Sequence, residues 1–111
     1  MIAVLFELEP IASEADRYFA LAGELKPTLE TIDGSISVER FQSINNPDKY
    51  LSLSFWRDEE AVKAWRNLSA HRQAQRQGRV SIFRRYRIRV GAVIRDYGMN
   101  LDNQQCRHQQ Q

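Results

Sequence analysis

The order of hydrophobic periodicities is the feature that most constrains the fold of this chain. Apolar and polar residues alternate, as in half-buried β-strands, at 2–9, 35–44, 49–57 and 80–94. Apolar residues recur at steps of three and four, as on one face of an α-helix, at 15–32 and 59–68, with a polar continuation to 77. The resulting order, β-α-β-β-α-β, predicts an α+β fold of the ferredoxin-like type.

Residues with strong local preferences mark the ends of the predicted helices. Ser13 followed by Asp16 has the form of a capping box at the start of the first helix. Pro27 should kink that helix or split off its last turn, because proline has no backbone N–H to donate. Gly34 is expected to end it with a positive φ. Asp58 is a good N-cap for the second helix.

The spacing of apolar residues predicts which side of each helix is buried. The predicted face of the first helix comprises Ala15, Phe19, Ala22, Leu25, Leu29 and Ile32. The predicted face of the second helix comprises Ala61, Ala64, Trp65 and Leu68. The segment 69–77 is polar and is expected to continue this helix or to form a second helical piece.

A chain of 111 residues has room for one small core. The ferredoxin-like sheet carries its helices on one face, so apolar residues on the other face need a cover. We therefore expect a homodimer in which the two bare sheet faces meet. The domain is expected to span 1–98, and the glutamine-rich segment 99–111 is expected to be a polar C-terminal tail.

Charge is distributed unevenly along the chain. Residues 72–95 include eight arginines and no acidic residue, whereas residues 1–71 hold 12 acidic and 7 basic residues. Such a basic segment indicates a polyanion partner or an internal charge match. Strand alternation favours the match, between Glu7, Glu9 and Glu39 on one side and Arg85, Arg87 and Arg89 on the other. We expect no nucleic-acid partner, because the third strand lacks the aromatic and glycine pattern of the RNA-recognition module.

Other classes of protein are excluded by what the sequence lacks. No apolar run reaches the roughly 20 residues that span a bilayer, so no membrane partner is expected. The lone Cys106 cannot form an intrachain disulfide, which favours a reducing, cytoplasmic location. The histidines, His71 and His108, are far apart in the sequence, and we expect no metal site.

Four side chains are candidates for a site on their residue type and position alone. His71 is either a proton donor or base, or an exposed helix histidine. Trp65 is either core or the wall of a pocket for a flat ligand. Arg40 interrupts an apolar strand face, so it should pair with an acid or contact an anionic ligand. Tyr86 either orients a substrate by hydrogen bonding or caps the core.

Several stretches resemble a known family. They are SISVERFQS, YLSLSFWRDEEAVKAWRN, the S-x-H of residues 69–71, YRIRV and IRDYG. They resemble the antibiotic biosynthesis monooxygenase (ABM) domain, in the branch related to haem-degrading monooxygenases, over residues 1–98. The resemblance implies a dimeric α+β barrel with a pocket between the sheet and the helices of each protomer. Family members include oxygenases of aromatic polyketides that use no metal or flavin, haem degraders, and proteins of unknown activity.

The resemblance also implies candidate site residues. Haem degraders carry an asparagine on the first strand, a tryptophan on the second helix and a histidine ten residues later. Trp65 matches the tryptophan, but Gln75 stands at the histidine position, His71 comes earlier, and residues 2–9 contain no asparagine. The match to polyketide oxygenases rests on Trp65 and Asn67.

Together these arguments predict a monooxygenase that acts on a small aromatic molecule or haem. His71 and Trp65 are the predicted catalytic residues, and the predicted substrate-binding residues are Phe6, Arg40, Phe55, Asn67 and Tyr86. The predicted cofactor is none, or haem. The alternative is a non-catalytic dimeric binding or stress-related protein with the same fold.

Overall fold

The computed structural model describes residues 1–77, 82–100 and 107–108, with side chains at 1–68 and 82–99. Its main elements are β1 (Ile2–Pro10), α1 (Ala15–Glu30), β2 (Ser35–Gln42), β3 (Tyr50–Trp56), α2 (Glu59–Gln77) and β4 (Phe83–Ala92). Two short strands, β5 (Met99–Asn100) and β6 (Arg107–His108), pair with each other in the segment expected to be a tail. The predicted β-α-β-β-α-β order is confirmed.

The four long strands form one antiparallel sheet in the order β2-β3-β1-β4. The last strand therefore lies beside the first, as in the ferredoxin-like fold. Leu8 pairs with Tyr50 of β3 on one side and with Tyr86 of β4 on the other. The register between β1 and β4 shifts after Glu9, where Pro10 cannot donate to the ladder.

The core lies between the helices and one face of the sheet, here called the inner face. Val4 and Leu8 of β1 and Trp56 of β3 are fully buried on it. The buried residues of α1 are Tyr18, Leu21, Leu25 and Leu29. The predicted face was right for Leu25 and Leu29, but in the first half of the helix the buried residues precede the predicted ones by one position. In α2 the prediction was wrong for Ala64, which is exposed, while Val62 is buried beside Ala61.

The structure confirms some of the predicted helix-end features and contradicts others. The capping box was wrong: Ser13 lies in a 3-10 turn, and α1 begins at Ala15 without a side-chain cap. Pro27 lies inside α1, which is not split there. Gly34 has the expected positive φ, +94°, but it does not end the helix, because α1 ends at Glu30 with Thr31 as its C-cap. The Asp58 carboxylate accepts the Ala61 N–H at 3.0 Å, which confirms the cap of α2.

The opposite side of the sheet, here called the outer face, is covered by none of the elements whose side chains are described. Strand alternation places on it the half-buried Leu5, Leu51, Leu53 and Phe55, together with Phe41, whose exposure is 43%. Leu5 and Leu53 are paired directly across β1 and β3. The outer face therefore has an apolar centre.

Charged residues border this apolar centre. Glu7 pairs with Arg89 at 2.8 Å and with Lys49 at 2.8 Å, and Glu9 pairs with Arg85 at 3.2 Å. The predicted charge match is thus confirmed for the two acids of β1. It was wrong for Glu39 and for Arg87, neither of which has an ion pair among the described residues. Strands β2 and β4 are opposite edges of the sheet, about 14 Å apart at the usual strand spacing, which is too far for a direct pair.

None of the helices in the described part of the chain combines the length and hydrophobicity needed to cross a lipid bilayer. Over the same residues, no group of three or more His, Cys, Asp or Glu side chains is arranged to hold a metal ion.

Candidate active site

A cleft of about 270 Å³ lies between α1 and the inner face of the sheet. Its apolar lining includes Phe6, Leu21, Leu25, Val38 and Trp65, and its polar lining includes Tyr18, Lys26, Arg40 and Ser52. The cleft exists because β3 carries the small Ser52 on its inner face, where a large apolar side chain would otherwise fill the space under α1.

One wall of the cleft is formed by Trp65, which packs against a second tryptophan, Trp56. Trp65 lies on α2, and its ring centroid is 6.0 Å from that of Trp56, with 41° between the ring planes. Trp56 is fully buried, and its indole N–H donates to the Ser54 hydroxyl at 2.9 Å. Because Trp56 is held by this bond and by the core, it supports Trp65 from behind. Trp65 is therefore both a packing residue and a cleft wall.

A second aromatic group borders the cleft on the β1 side. The ring of Phe6 contacts those of Phe83 and Tyr86 edge to face, at centroid distances of 5.6 and 5.9 Å. Phe6 lines the cleft, whereas Tyr86 is 62% exposed at the far side of Phe6 and is not part of the lining. The aromatic cluster fixes the orientation of Phe6 rather than bringing Tyr86 into the cleft.

Tyr18 and Arg40 provide polar groups in the lining of the cleft. The Arg40 guanidinium carbon lies 5.6 Å from the centre of the Phe19 ring, which is within cation–π distance. Burial raises the pKa of the Tyr18 hydroxyl, and the positive charge of the neighbouring Arg40 offsets part of this effect. Tyr18 is therefore a neutral hydrogen-bonding phenol at neutral pH.

Tyr18 was missed by the sequence reasoning, although a signal was present. Tyr18, Leu21, Leu25 and Leu29 follow steps of three and four, and the predicted face used Phe19 and Ala22 in place of the first two. Phe19 and Ala22 do pack at the margin of the core. The two rows are adjacent, so periodicity alone did not decide which one faces the sheet.

The structure brings together three of the seven predicted site residues, Phe6, Arg40 and Trp65. Phe55 lies on the outer face, because it alternates with the buried Ser54 and Trp56. Asn67 is an exposed residue of α2 and is not among the lining residues. His71 belongs to α2, and its side chain lies outside the part of the chain for which side chains are described.

The chemistry of this cleft follows from its lining. An apolar chamber with an aromatic wall binds an apolar ring or chain and keeps water away from it. A guanidinium and a phenol at one side can hold an oxygen atom of the ligand and stabilise negative charge on it.

Comparison with known proteins agrees with this architecture. The family model described as antibiotic biosynthesis monooxygenase (ABM) matches residues 1–77. The chain is 44% identical over 93 residues to a protein of Pyricularia oryzae named jasmonate monooxygenase ABM. The match covers 84% of this chain and 43% of that protein, so the chain spans less than half the length of this relative.

Solved structures share the fold at low sequence identity. Rv0793 from Mycobacterium tuberculosis superposes with a TM-score of 0.73 at 17% identity, over 86% of this chain and 96% of that one. A mutant of the M. tuberculosis haem degrader MhuD, with two manganese protoporphyrin IX molecules bound per active site, gives a TM-score of 0.71 at 15% identity, over 88% and 99% of the two chains. On its sequence match and its shared fold, this chain belongs to the antibiotic biosynthesis monooxygenase family.

Proposed function

We propose that this protein is a monooxygenase that transfers one atom of O₂ to a small, largely apolar molecule bound between α1 and the sheet. The observation that carries the proposal is the cleft itself, in which the Trp65 wall faces a guanidinium and a phenol in an otherwise apolar lining. The family match and the jasmonate monooxygenase relative support the reaction class.

Each described residue of the cleft has a defined role in this proposal. Trp65 and Phe6 hold the ring of the substrate by aromatic contacts. Arg40 and Tyr18 stabilise negative charge on a substrate oxygen, which favours the deprotonated form of the substrate that donates electrons to O₂. The apolar lining excludes water, so the substrate anion reacts with O₂ in a site of low dielectric constant.

An electron-rich aromatic substrate needs no external reductant for this reaction. A methylene group between two aromatic rings loses a proton to give a carbanion, which donates electrons to O₂. One oxygen atom becomes a carbonyl on that carbon and the other leaves as water, so the substrate itself provides the reducing electrons. An unactivated C–H bond, by contrast, requires two electrons from a separate donor.

His71 is proposed as the group that moves the proton in this reaction. The basis is its position on α2, the helix that carries Trp65 into the cleft. His71→Ala should then lower turnover much more than substrate binding. A His71→Ala variant with unchanged turnover would remove His71 from the site.

The residues described in the cleft do not fit a ligated haem iron. None of the lining residues is a histidine, cysteine or methionine, which are common axial ligands of haem. Tyr18 can ligate iron in principle, but its hydroxyl is buried beside Arg40. Of the predicted site residues, only His71 is then left to ligate a haem iron. Haem titration of the wild type and of His71→Ala, followed by the Soret band, tests this alternative directly.

Oxygen incorporation tests the proposed function. Purified protein is supplied with ¹⁸O₂ and separate substrates: a diaryl methylene phenol, a hydroquinone and jasmonate, the last with and without ascorbate as electron donor. We expect one labelled oxygen atom in the product and a rate at least about tenfold lower for Trp65→Phe, whose ring presents a smaller wall. Ile44→Ala, in an exposed turn outside the cleft, should keep the wild-type rate.

Two outcomes of this experiment would contradict the proposal. Oxygen uptake no faster than in the absence of protein, with substrate bound, would favour the non-catalytic binding protein. Equal rates in the wild type and in Trp65→Phe would show that oxidation occurs outside the cleft.

We further propose that the protein is a homodimer whose partners pack outer face against outer face. The apolar centre formed by Leu5, Leu51, Leu53 and Phe55 supports this arrangement, because its burial removes apolar surface from water. The charge pairs of Glu7 and Glu9 at its border would limit the register of the two sheets.

A further inference from the structure

Arg40 differs from Arg85 and Arg89 of the outer face in having no carboxylate partner. Arg85 and Arg89 each lie within 3.2 Å of a glutamate oxygen. No acidic side chain among the described residues comes within ion-pair distance of Arg40, whose neighbours are the Phe19 ring and the Tyr18 hydroxyl. The Arg40 guanidinium, which is exposed at the cleft, thus keeps hydrogen-bonding capacity that no acidic side chain among the described residues uses.

A second cationic side chain adds to the positive potential of the cleft. Lys26 of α1 also contributes to the lining. Glu39 contributes too, but it precedes Arg40 on β2, and strand alternation turns its side chain towards the outer face. The cleft therefore presents two cationic side chains beside apolar walls, which strengthen their attraction for an anion.

The geometry of Tyr18 extends this anion site. The Tyr18 hydroxyl lies near enough to Arg40 to be influenced by its charge, and as a neutral phenol it keeps an O–H that can donate to a ligand. Arg40 and Tyr18 together thus offer several donors on one side of the cleft, and the aromatic surfaces of Phe6 and Trp65 form other parts of its wall. Two donors from a guanidinium match the two oxygens of a carboxylate.

We infer that the cleft recognises amphiphilic monocarboxylates, with the carboxylate bound by Arg40 and Tyr18 and the apolar body against Phe6 and Trp65. This inference deepens the proposed function by naming the class of ligand. It concerns binding alone, so it can hold or fail independently of oxygen chemistry.

Matched acids and methyl esters test the inference by binding in the absence of turnover. The probes are jasmonate with methyl jasmonate, and 1-naphthylacetate with its methyl ester, titrated anaerobically by calorimetry. In each pair the apolar body is the same and only the negative charge differs. We expect the wild type to bind at least one of the two acids about tenfold or more tightly than its ester, as a charge-assisted contact provides.

Three variants separate the role of Arg40 from general effects of charge. Arg40→Met should reduce the preference for the acid to about twofold or less while binding the ester as before. Arg40→Lys should keep part of the preference, because a lysine retains the charge but not the paired donors. Arg66→Met removes an exposed arginine of α2 outside the cleft lining and should keep the full preference.

Several results would overturn the inference. They are equal binding of acid and ester by the wild type, absence of binding by both acids, and a preference that survives in Arg40→Met. A preference that depends on Arg40 without any oxygen incorporation would sustain the inference and contradict the monooxygenase proposal. Oxygenation of neutral substrates with no preference for acids would sustain the monooxygenase proposal and contradict the inference.

Discussion

The carboxylate of Glu7 and the guanidinium of Arg89 lie 2.8 Å apart, although 82 positions separate them in the sequence. The Glu7 carboxylate also lies 2.8 Å from the ammonium group of Lys49. One side chain of β1 therefore links β4 on one side to the start of β3 on the other. These contacts neutralise part of the arginine-rich strand within the protomer. The basic segment is therefore in part a structural feature of the sheet.

The Glu7 ion pairs predict a pH-dependent stability. The hydrogen bond from Lys49, followed by the charges of Lys49, Arg89 and Arg87, lowers the pKa of Glu7 below its ordinary value of 4.5. A carboxyl whose pKa is lower in the folded state stabilises the fold above its unfolded pKa, and this contribution is lost as the pH falls through the folded pKa. The melting temperature of Glu7→Gln should therefore lie below that of the wild type at about pH 7, and the gap should close towards about pH 3.

Thermal melts across this pH range provide the measurement. Glu30→Gln is the matched control, because Glu30 is exposed at the end of α1 and has no ion pair within the described residues. It should show no comparable narrowing with pH. A gap for Glu7→Gln that stayed constant down to pH 3 would mean that the carboxylate charge does not stabilise the fold.

The buried hydrogen bond between Trp56 and Ser54 predicts a large effect from a small substitution. Ser54→Ala removes the only acceptor observed for the Trp56 indole N–H among the described residues, and both side chains are buried. An unsatisfied buried donor costs about 1–3 kcal/mol, so Ser54→Ala should lower the free energy of unfolding by about that amount. Urea denaturation measures it.

Ser52→Ala is the matched control for Ser54→Ala. Ser52 lies on the same strand and the same face but lines the cleft instead of the packed core. Its replacement should change the free energy of unfolding by less than about 0.5 kcal/mol. Equal losses in the two variants would show that the indole hydrogen bond contributes nothing specific.

Two glycines predict effects of opposite sign. Gly34 has φ +94°, and a Cβ there would lie 2.8 Å from the Cβ of Ala61, so Gly34→Ala should lower the free energy of unfolding by about 1–3 kcal/mol. Gly23 lies in α1 with no atom within 4 Å of an added Cβ. Gly23→Ala should therefore stabilise the protein by about 0.5–1 kcal/mol. Chemical denaturation of both variants would contradict this argument if Gly34→Ala proved neutral.

The proposed homodimer predicts the effect of a charge at the centre of the outer face. The wild type should have a mass near twice 13.0 kDa by light scattering, and Leu53→Glu should shift it towards the monomer, because it places a carboxylate in the apolar interface. Ile44→Glu, at a position that is 95% exposed in the turn between β2 and β3, should remain dimeric. A wild type that runs as a monomer, or a Leu53→Glu variant that remains a dimer, would refute the interface.

Local signals in the sequence predicted the elements and some of their ends. The spacing of apolar residues changes between a period of 2 in strands and 3.6 in helices. This change was sufficient to predict the order of strands and helices, because each element must bury its apolar side. Asp58 and Gly34 were also predictable, since a cap and a positive φ depend on neighbouring backbone. Ser13 was not, because the chain enters α1 through a 3-10 turn in which the capping geometry does not form.

The candidate site was less predictable than the fold. Trp65 and Arg40 stood out because a large aromatic and a charge occupy positions on otherwise apolar faces. Tyr18 did not, because two adjacent rows of α1 have the same period, and the rotation of a helix against its sheet is decided by packing. Phe55 could have been excluded, since strand alternation already placed it opposite Trp56.

The sequence by itself determined the order of the elements, the alternation within each strand, the ABM resemblance and the presence of a charge-rich last strand. These properties depend on near neighbours along the chain. The tertiary structure alone decided which distant residues meet. It placed β2 and β4 at opposite edges, which separates Glu39 from the arginines, and it brought Tyr18, Arg40 and Trp65 to one cleft. Contacts between residues that are distant in the sequence depend on how the elements pack, and packing is a property of the whole fold.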